Sequence, residues 1–150
     1  MNSKRNIAIF GAIALSLSCT ACGGEAITVT VRNLTEAGIS EIQVSPESDK
    51  SDLHNILKET LEAGEDIAVS FGSYTPEELQ DGFFLDVYNA EDGTNGTFNM
   101  LMLSDGDTVS FYIDDWGLAL GVNMTDAEIA EQKERDHQSY LEMEAEESAE

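Results

Sequence analysis

The feature that most limits what this chain can fold into is a series of short apolar runs with a period of two, each closed by turn-forming residues. Ile27, Val29 and Val31 alternate with Thr28, Thr30 and Arg32. In an extended backbone that spacing sends one face to a core and the other to water. The same alternation recurs at Ile42 and Val44, stopped by Pro46, and at Ile67, Val69 and Phe71. Phe83, Leu85 and Val87 form another such run over 83–89, and Val109, Phe111 and Ile113 a further one. A strand is also expected over 97–103, and one over 116–122 that Gly117 and Gly121 weaken. Strands this short, broken by turns every roughly 8–12 residues, predict a mainly β fold, an antiparallel β-sandwich of about seven strands over 26–123.

Turn chemistry punctuates the pattern. Glu91-Asp92-Gly93 and Ser104-Asp105-Gly106-Asp107 read as tight turns. Two short helical turns are expected. One is at Asp52 to Leu57, with Leu53, Ile56 and Leu57 on one side. The other is at Thr75-Pro76-Glu77-Glu78-Leu79, where a threonine cap precedes proline and acids. Residues 124–150 change character. Thr125-Asp126-Ala127-Glu128 is a capping-box sequence, and 10 acidic residues stand against 2 basic ones from 125 onward. Ile129, Tyr140, Leu141 and Met143 make no continuous stripe, so this segment reads as a solvated acidic helix or a flexible tail.

The amino terminus reads as an address rather than a fold. Lys4 and Arg5 precede eleven largely apolar residues, Ile7 to Leu17, about half of what a bilayer span needs. Ser18, Cys19, Thr20 and Ala21 then lead to Cys22-Gly23-Gly24. The segment resembles the signal of bacterial lipoproteins, with Thr20, Ala21 and Cys22 at the −2, −1 and +1 positions of the lipobox. Cys19 stands at −3, where that family carries an aliphatic residue. The resemblance implies that residues 1–21 are removed and that Cys22 becomes a diacylated amino terminus, with 22–25 as a lipidated linker. A second acyl chain turns marginal membrane binding into stable anchoring. The implied location is the outer face of the cell membrane or another envelope membrane. Two other readings are a plain secretory signal and a Cys19-x-x-Cys22 redox or metal pair; no further cysteine supports the latter.

A second resemblance rests on Asn33-x-Thr35, Ile42-x-Val44-Ser45-Pro46, Ile56-Leu57, Leu61-x-x-Gly64, Asp86-Val87 and Asp92-Gly93. Over about two thirds of the chain these are similar to small exported bacterial β-domains of uncharacterised function. The chain lacks the Trp-Gly that often precedes the Leu-rich turn in that group, and has Leu53-His54 there. The resemblance implies a fold and no activity.

Charge narrows the partners. The chain holds 7 Lys and Arg against 30 Asp and Glu, net −23, and cleavage would take Lys4 and Arg5 away. Such a surface repels phosphate backbones and anionic headgroups, so nucleic acid is excluded as a partner. Cationic partners and divalent ions are attracted.

Catalytic motifs are lacking. His54 and His137 are separated and have no histidine neighbours, and Phe71-Gly72-Ser73-Tyr74 lacks the second glycine of a nucleophile elbow. A calcium site is conceivable from Asn89, Glu91, Asp92 and Asn95, or from Asp105 and Asp107, which offer hard oxygens close together. The same residues are what hairpin turns use by themselves. Tyr112 and Trp116, beside Asp114-Asp115, make a candidate aromatic–acidic binding patch, although Trp116 is expected in the core. No cofactor is expected beyond the diacylglyceryl lipid and calcium. The resulting expectation is a non-enzymatic, lipid-anchored binding module that meets an envelope protein or small ligand. The alternatives are an enzyme or enzyme accessory acting on envelope polymers, and a calcium-stabilised structural lipoprotein.

Overall fold

The structure is a computed structural model that describes residues 25–91 and 95–149. The signal segment 1–21, Cys22 and Asp92 lie outside the described residues. Within them the chain forms eight strands in two open sheets and one carboxy-terminal helix. β1 (Glu25–Asn33), β4 (Asp66–Tyr74), β7 (Thr108–Asp114) and β8 (Gly117–Val122) make one sheet in the order β4-β1-β7-β8. β2 (Ile39–Pro46), β3 (His54–Asn55), β5 (Phe83–Asn89) and β6 (Asn95–Leu101) make the other, in the order β3-β2-β5-β6. The chain passes between the sheets after β1, β3, β4 and β6.

Most of the alternating residues behave as their spacing predicts; Ile113, expected to share the buried face of Val109 and Phe111, is 47% exposed, and Ser110 and Tyr112 are buried instead. Val29, Val31, Ile42, Val44, Phe83, Leu85, Val87, Val109 and Phe111 are all buried in one apolar cluster fed by both sheets. Edge-on aromatic contacts join the two sheets, Phe71 to Phe83 at 5.3 Å and Tyr74 to Phe83 at 5.6 Å.

Asn33, fully buried at the end of β1, organises the connections around it. Its amide donates to the carbonyls of Ala37 (2.8 Å) and Leu61 (2.9 Å). Its side-chain oxygen accepts from the backbone N–H and the hydroxyl of Thr35. The Asn-x-Thr pattern is therefore a structural lock.

Three expectations need correction. The sheets are not wholly antiparallel: β1 and β7 run parallel, Thr30 beside Thr108 through Asn33 beside Phe111. The pairing joins segments far apart in sequence, and strand direction has no local signature. The helical turn expected at 52–57 is replaced by the short strand β3, the eighth strand. There the Asn55 side chain accepts from the N–H groups of Ile42 and Leu57, and Ile56 N–H bonds to Ile42, so the chain pairs with β2 instead of itself. β6 lies two residues earlier than expected, because Asn95 pairs with Tyr88 and the strand ends near Met100, whose φ is +51°.

The turn at Thr75 does form, with reciprocal bonds between Thr75 and Glu78. α1 (Asp126–Ser148) starts at a complete Thr125–Glu128 capping box and stays helical for 23 residues. No helix among the described residues is long and apolar enough to cross a membrane.

Candidate functional site

The β7–β8 hairpin turns at Asp115 and Trp116. Both keep ordinary φ, so the reversal falls on Gly117 at φ +114°, a conformation that glycine alone adopts without strain. The Asp114 carboxylate accepts from the Trp116 backbone N–H at 2.8 Å and closes the turn. Trp116 is thereby pushed outward, 55% exposed, while Tyr112 two residues before Asp114 is buried. The expectation that Trp116 is a core residue is thus reversed.

α1 covers the Tyr112 side of this hairpin. Its start is held by the Arg32 guanidinium, which reaches Asp126 at 2.9 Å and Asp66 at 3.8 Å. Three turns further on it meets the hairpin tip. His137 Nδ1 lies 2.7 Å from an Asp115 oxygen, and the Tyr140 ring packs edge-on against Trp116 at 5.5 Å. Burial raises the Asp114 carboxyl above the usual carboxylate range; the Trp116 N–H opposes this, and a hydrogen bond with Asp136 and the charges of Asp136 and Asp115 add to it. The Tyr112 phenol is raised by the same burial and by Asp136 and Asp114, with Arg135 pulling the other way.

Between hairpin and helix runs an open cleft of about 520 Å³, lined by Ile113, Asp114, Asp115, Ala130, Lys133, Glu134 and His137. The void inside the apolar core is only about 10 Å³ and wholly apolar-lined, too small for a ligand. Surface around the cleft is where chemistry or binding has room.

Strand pairing places this cleft. β1 and β7 are parallel with Thr30 beside Thr108, so Glu25 and the Asp114 turn sit at opposite ends of the sheet. At about 3.3 Å per residue the separation along the strands is on the order of 35 Å.

Three of the side chains suggested for calcium, Asn89, Asp105 and Asp107, have oxygens that accept hydrogen bonds within the fold. Asn89 accepts from the Glu91 N–H, and Asn95 donates to Asp86. Asp105 accepts from Thr28 N–H, and Asp107 accepts from Ser104 N–H and the Asn123 amide. The first turn joins β5 to β6 within one sheet, and the second lies in the crossover from β6 to β7. Among the described residues no group of three His, Cys, Asp or Glu side chains is placed to hold a metal ion. His54 pairs with Asp52 at 2.9 Å on the exposed edge strand β3.

Of the sequence-derived candidates, Tyr112 and Trp116 are brought together with Asp114 and Asp115, one beneath the surface and one on it. The helix partners Asp136, His137 and Tyr140 were not anticipated. Their signal was the spacing Ile129, Gln132, Asp136, Tyr140, which keeps to one helical face but is too polar to register as an apolar stripe.

No family model matches the chain, and no match was found among curated proteins. Among solved structures it is similar to the NMR structure of a protein from Eubacterium rectale, with a TM-score of 0.50 and 14% identity over 72% of this chain and 98% of that one. A likeness at that identity shows a shared fold.

Proposed function

We propose that the protein is an exported lipoprotein, anchored through diacylated Cys22, that serves as a non-enzymatic binding module of the cell envelope. We further read the two sheets as a β-sandwich. The shared apolar cluster and the Phe71–Phe83 contact between sheets support that packing.

The observation that carries the functional reading is the placement of the two ends. On this reading the chain leaves its anchor segment at Glu25, and the open cleft between hairpin and helix lies at the opposite end of the same sheet. A tether at one end and an open, aromatic-edged cleft at the other is the layout of a module that reaches outward to bind.

Mass spectrometry of the protein from its native membrane tests the anchor. A mature chain beginning at diacylglyceryl-modified Cys22 is expected; an unmodified Cys22 or a retained leader overturns it. Crosslinking on cells tests the binding role, with a reproducible partner attached at the hairpin or helix as the expected result.

One observation favours the enzymatic alternative. Asp114 is a carboxyl raised by burial at the edge of a cleft, a property shared with general acids. The Asp114 oxygen is already committed to the Trp116 turn, which gives it a structural task. If Asp114→Asn abolished turnover of an envelope polymer while the fold persisted, the enzymatic reading would replace ours.

A further inference from the structure

The character of the cleft narrows what it would hold. Its walls combine apolar surface with charge in which acids outnumber cations. Ile113 is 47% exposed at the hairpin, and Trp116 stands out at the same end. Along α1, Ala130, Glu134, His137 and Leu141 recur at helical spacing on one stripe, and Leu141, one turn beyond His137, is also exposed. Asp114, Asp115 and Glu134 line the cleft with Lys133 as the single cation. Asp136 sits beside them and Glu142 and Glu144 follow on the helix.

We propose that this cleft docks a cationic peptide segment bearing apolar side chains, its apolar residues against Ile113, Trp116 and Leu141 and its Lys or Arg groups against Asp115 and Glu134. The proposal rests on the reading of the protein as an anchored binding module and names the class of its partner. Charge complementarity selects this occupant. A second copy of a chain with net charge −23 would bring acid against acid, and an anionic lipid surface would be repelled. The exposed indole adds an aromatic face on which a guanidinium or ammonium can rest. From Ala130 to Leu141 the helix offers about 16 Å, the length of about five extended peptide residues. Such a site recognises a short linear segment rather than a broad surface.

The test is a fluorescence anisotropy titration of the purified full chain, in neutral detergent, with a labelled dodecapeptide of lysine and leucine. A glutamate-for-lysine version of the peptide is the comparison. Saturable binding of the lysine peptide alone is expected, with a shift in the emission of Trp116, the single tryptophan. Ile113→Ser combined with Trp116→Ala should weaken it at least tenfold, and Trp116→Phe should recover most of the loss. Asp115→Asn with Glu134→Gln should weaken it several-fold more than Glu59→Gln with Asp81→Asn, which removes the same charge from exposed loops outside the cleft.

If cleft variants with unchanged melting temperature bind like the parent, the proposal fails. It fails equally if both charge pairs weaken binding alike, since attraction is then diffuse. Cleft-dependent binding to phosphatidylglycerol vesicles would assign the surface to lipid, and Ile113-dependent dimerisation in sedimentation would assign it to a second copy; either overturns the peptide. Cleft-dependent peptide binding by a chain whose Cys22 proves unmodified would uphold the docking site and sink the anchor alone.

Discussion

The two-sheet interior and the helix–hairpin junction are built on opposite principles. Among the described residues the interior is a cluster of 17 buried apolar side chains, with Asn33 holding the carbonyls of Ala37 and Leu61 beside it. The junction buries a single helix residue, Ile129, and otherwise holds α1 by polar and edge contacts: Arg32 with Asp126, His137 with Asp115, Tyr140 with Trp116. Burying one isoleucine contributes about 2 kcal/mol, whereas each interior strand contributes several such side chains. In proteins most of a helix's stability comes from packing an amphipathic face, and α1 packs little of its surface. The difference teaches that α1 and the sheets need not share one stability: the sheets set the global value, and the helix docks upon them with a smaller one of its own.

The strongest way to break that contrast is at Asn33. Asn33→Ala leaves the carbonyls of Ala37 and Leu61 and the Thr35 amide without their buried partner. A loss of about 3 kcal/mol in global stability is expected, read by urea unfolding. Amides of β1 and α1 should lose protection together, because unfolding the sheets releases the helix. A loss below about 1 kcal/mol would mean that the connections close without this lock.

Thr125→Ala strikes the other region. The Thr125 hydroxyl accepts from Glu128 N–H, and Glu128 returns a bond to the Thr125 N–H. Removing the hydroxyl should cost the helix about 1 kcal/mol. Hydrogen exchange in α1 is then expected to quicken roughly fivefold, while β1 and β7 amides keep their rates. Equal acceleration in helix and sheet would show one cooperative unit and erase the contrast.

The same contrast explains what could be read in advance. Interior strands with one apolar face, such as β1 and β5, declare themselves through alternation, because burial on one side is what the pattern encodes. The Thr125 cap was equally legible, since its hydrogen bonds are local. The parallel neighbour of β1 and the pairing of His54–Asn55 with β2 were not, because both depend on which distant segment arrives alongside. The site was half legible. Asp114, Asp115, Tyr112 and Trp116 adjoin in sequence, but an acidic helix is indifferent to its docking place until Asp136 and His137 meet the hairpin. Trp116 also left its expected place in the core. An Asx turn at Asp114 decides which aromatic faces water, and hydrophobicity alone ranks Trp116 as the one to bury.

Asp114→Asn gives the smallest effect and the most specific test of the junction. The folded state holds the Asp114 proton more tightly than the unfolded chain does, because burial and the neighbouring Asp136 and Asp115 disfavour its ionised form. A raised carboxyl means that stability is lost as pH rises from the ordinary aspartate value, about 3.9, through the folded value, and that a constant penalty remains above it. Asparagine keeps the oxygen that accepts the Trp116 N–H at 2.8 Å and has an amide to donate to Asp136, but carries no charge. The variant should therefore dock α1 slightly better at pH 7, by no more than about 0.5 kcal/mol because the site is partly solvated. The advantage should vanish by about pH 3.5, where both forms are neutral. The other charges at the junction, Lys133, Glu134, Arg135 and His137 on the helix, are common to both proteins, so the difference between their pH profiles isolates Asp114. A gain in helix protection that is the same at both pH values would trace to packing rather than to charge. No gain at pH 7 would mean that the junction carries its acids at no cost, as an ordinary surface does.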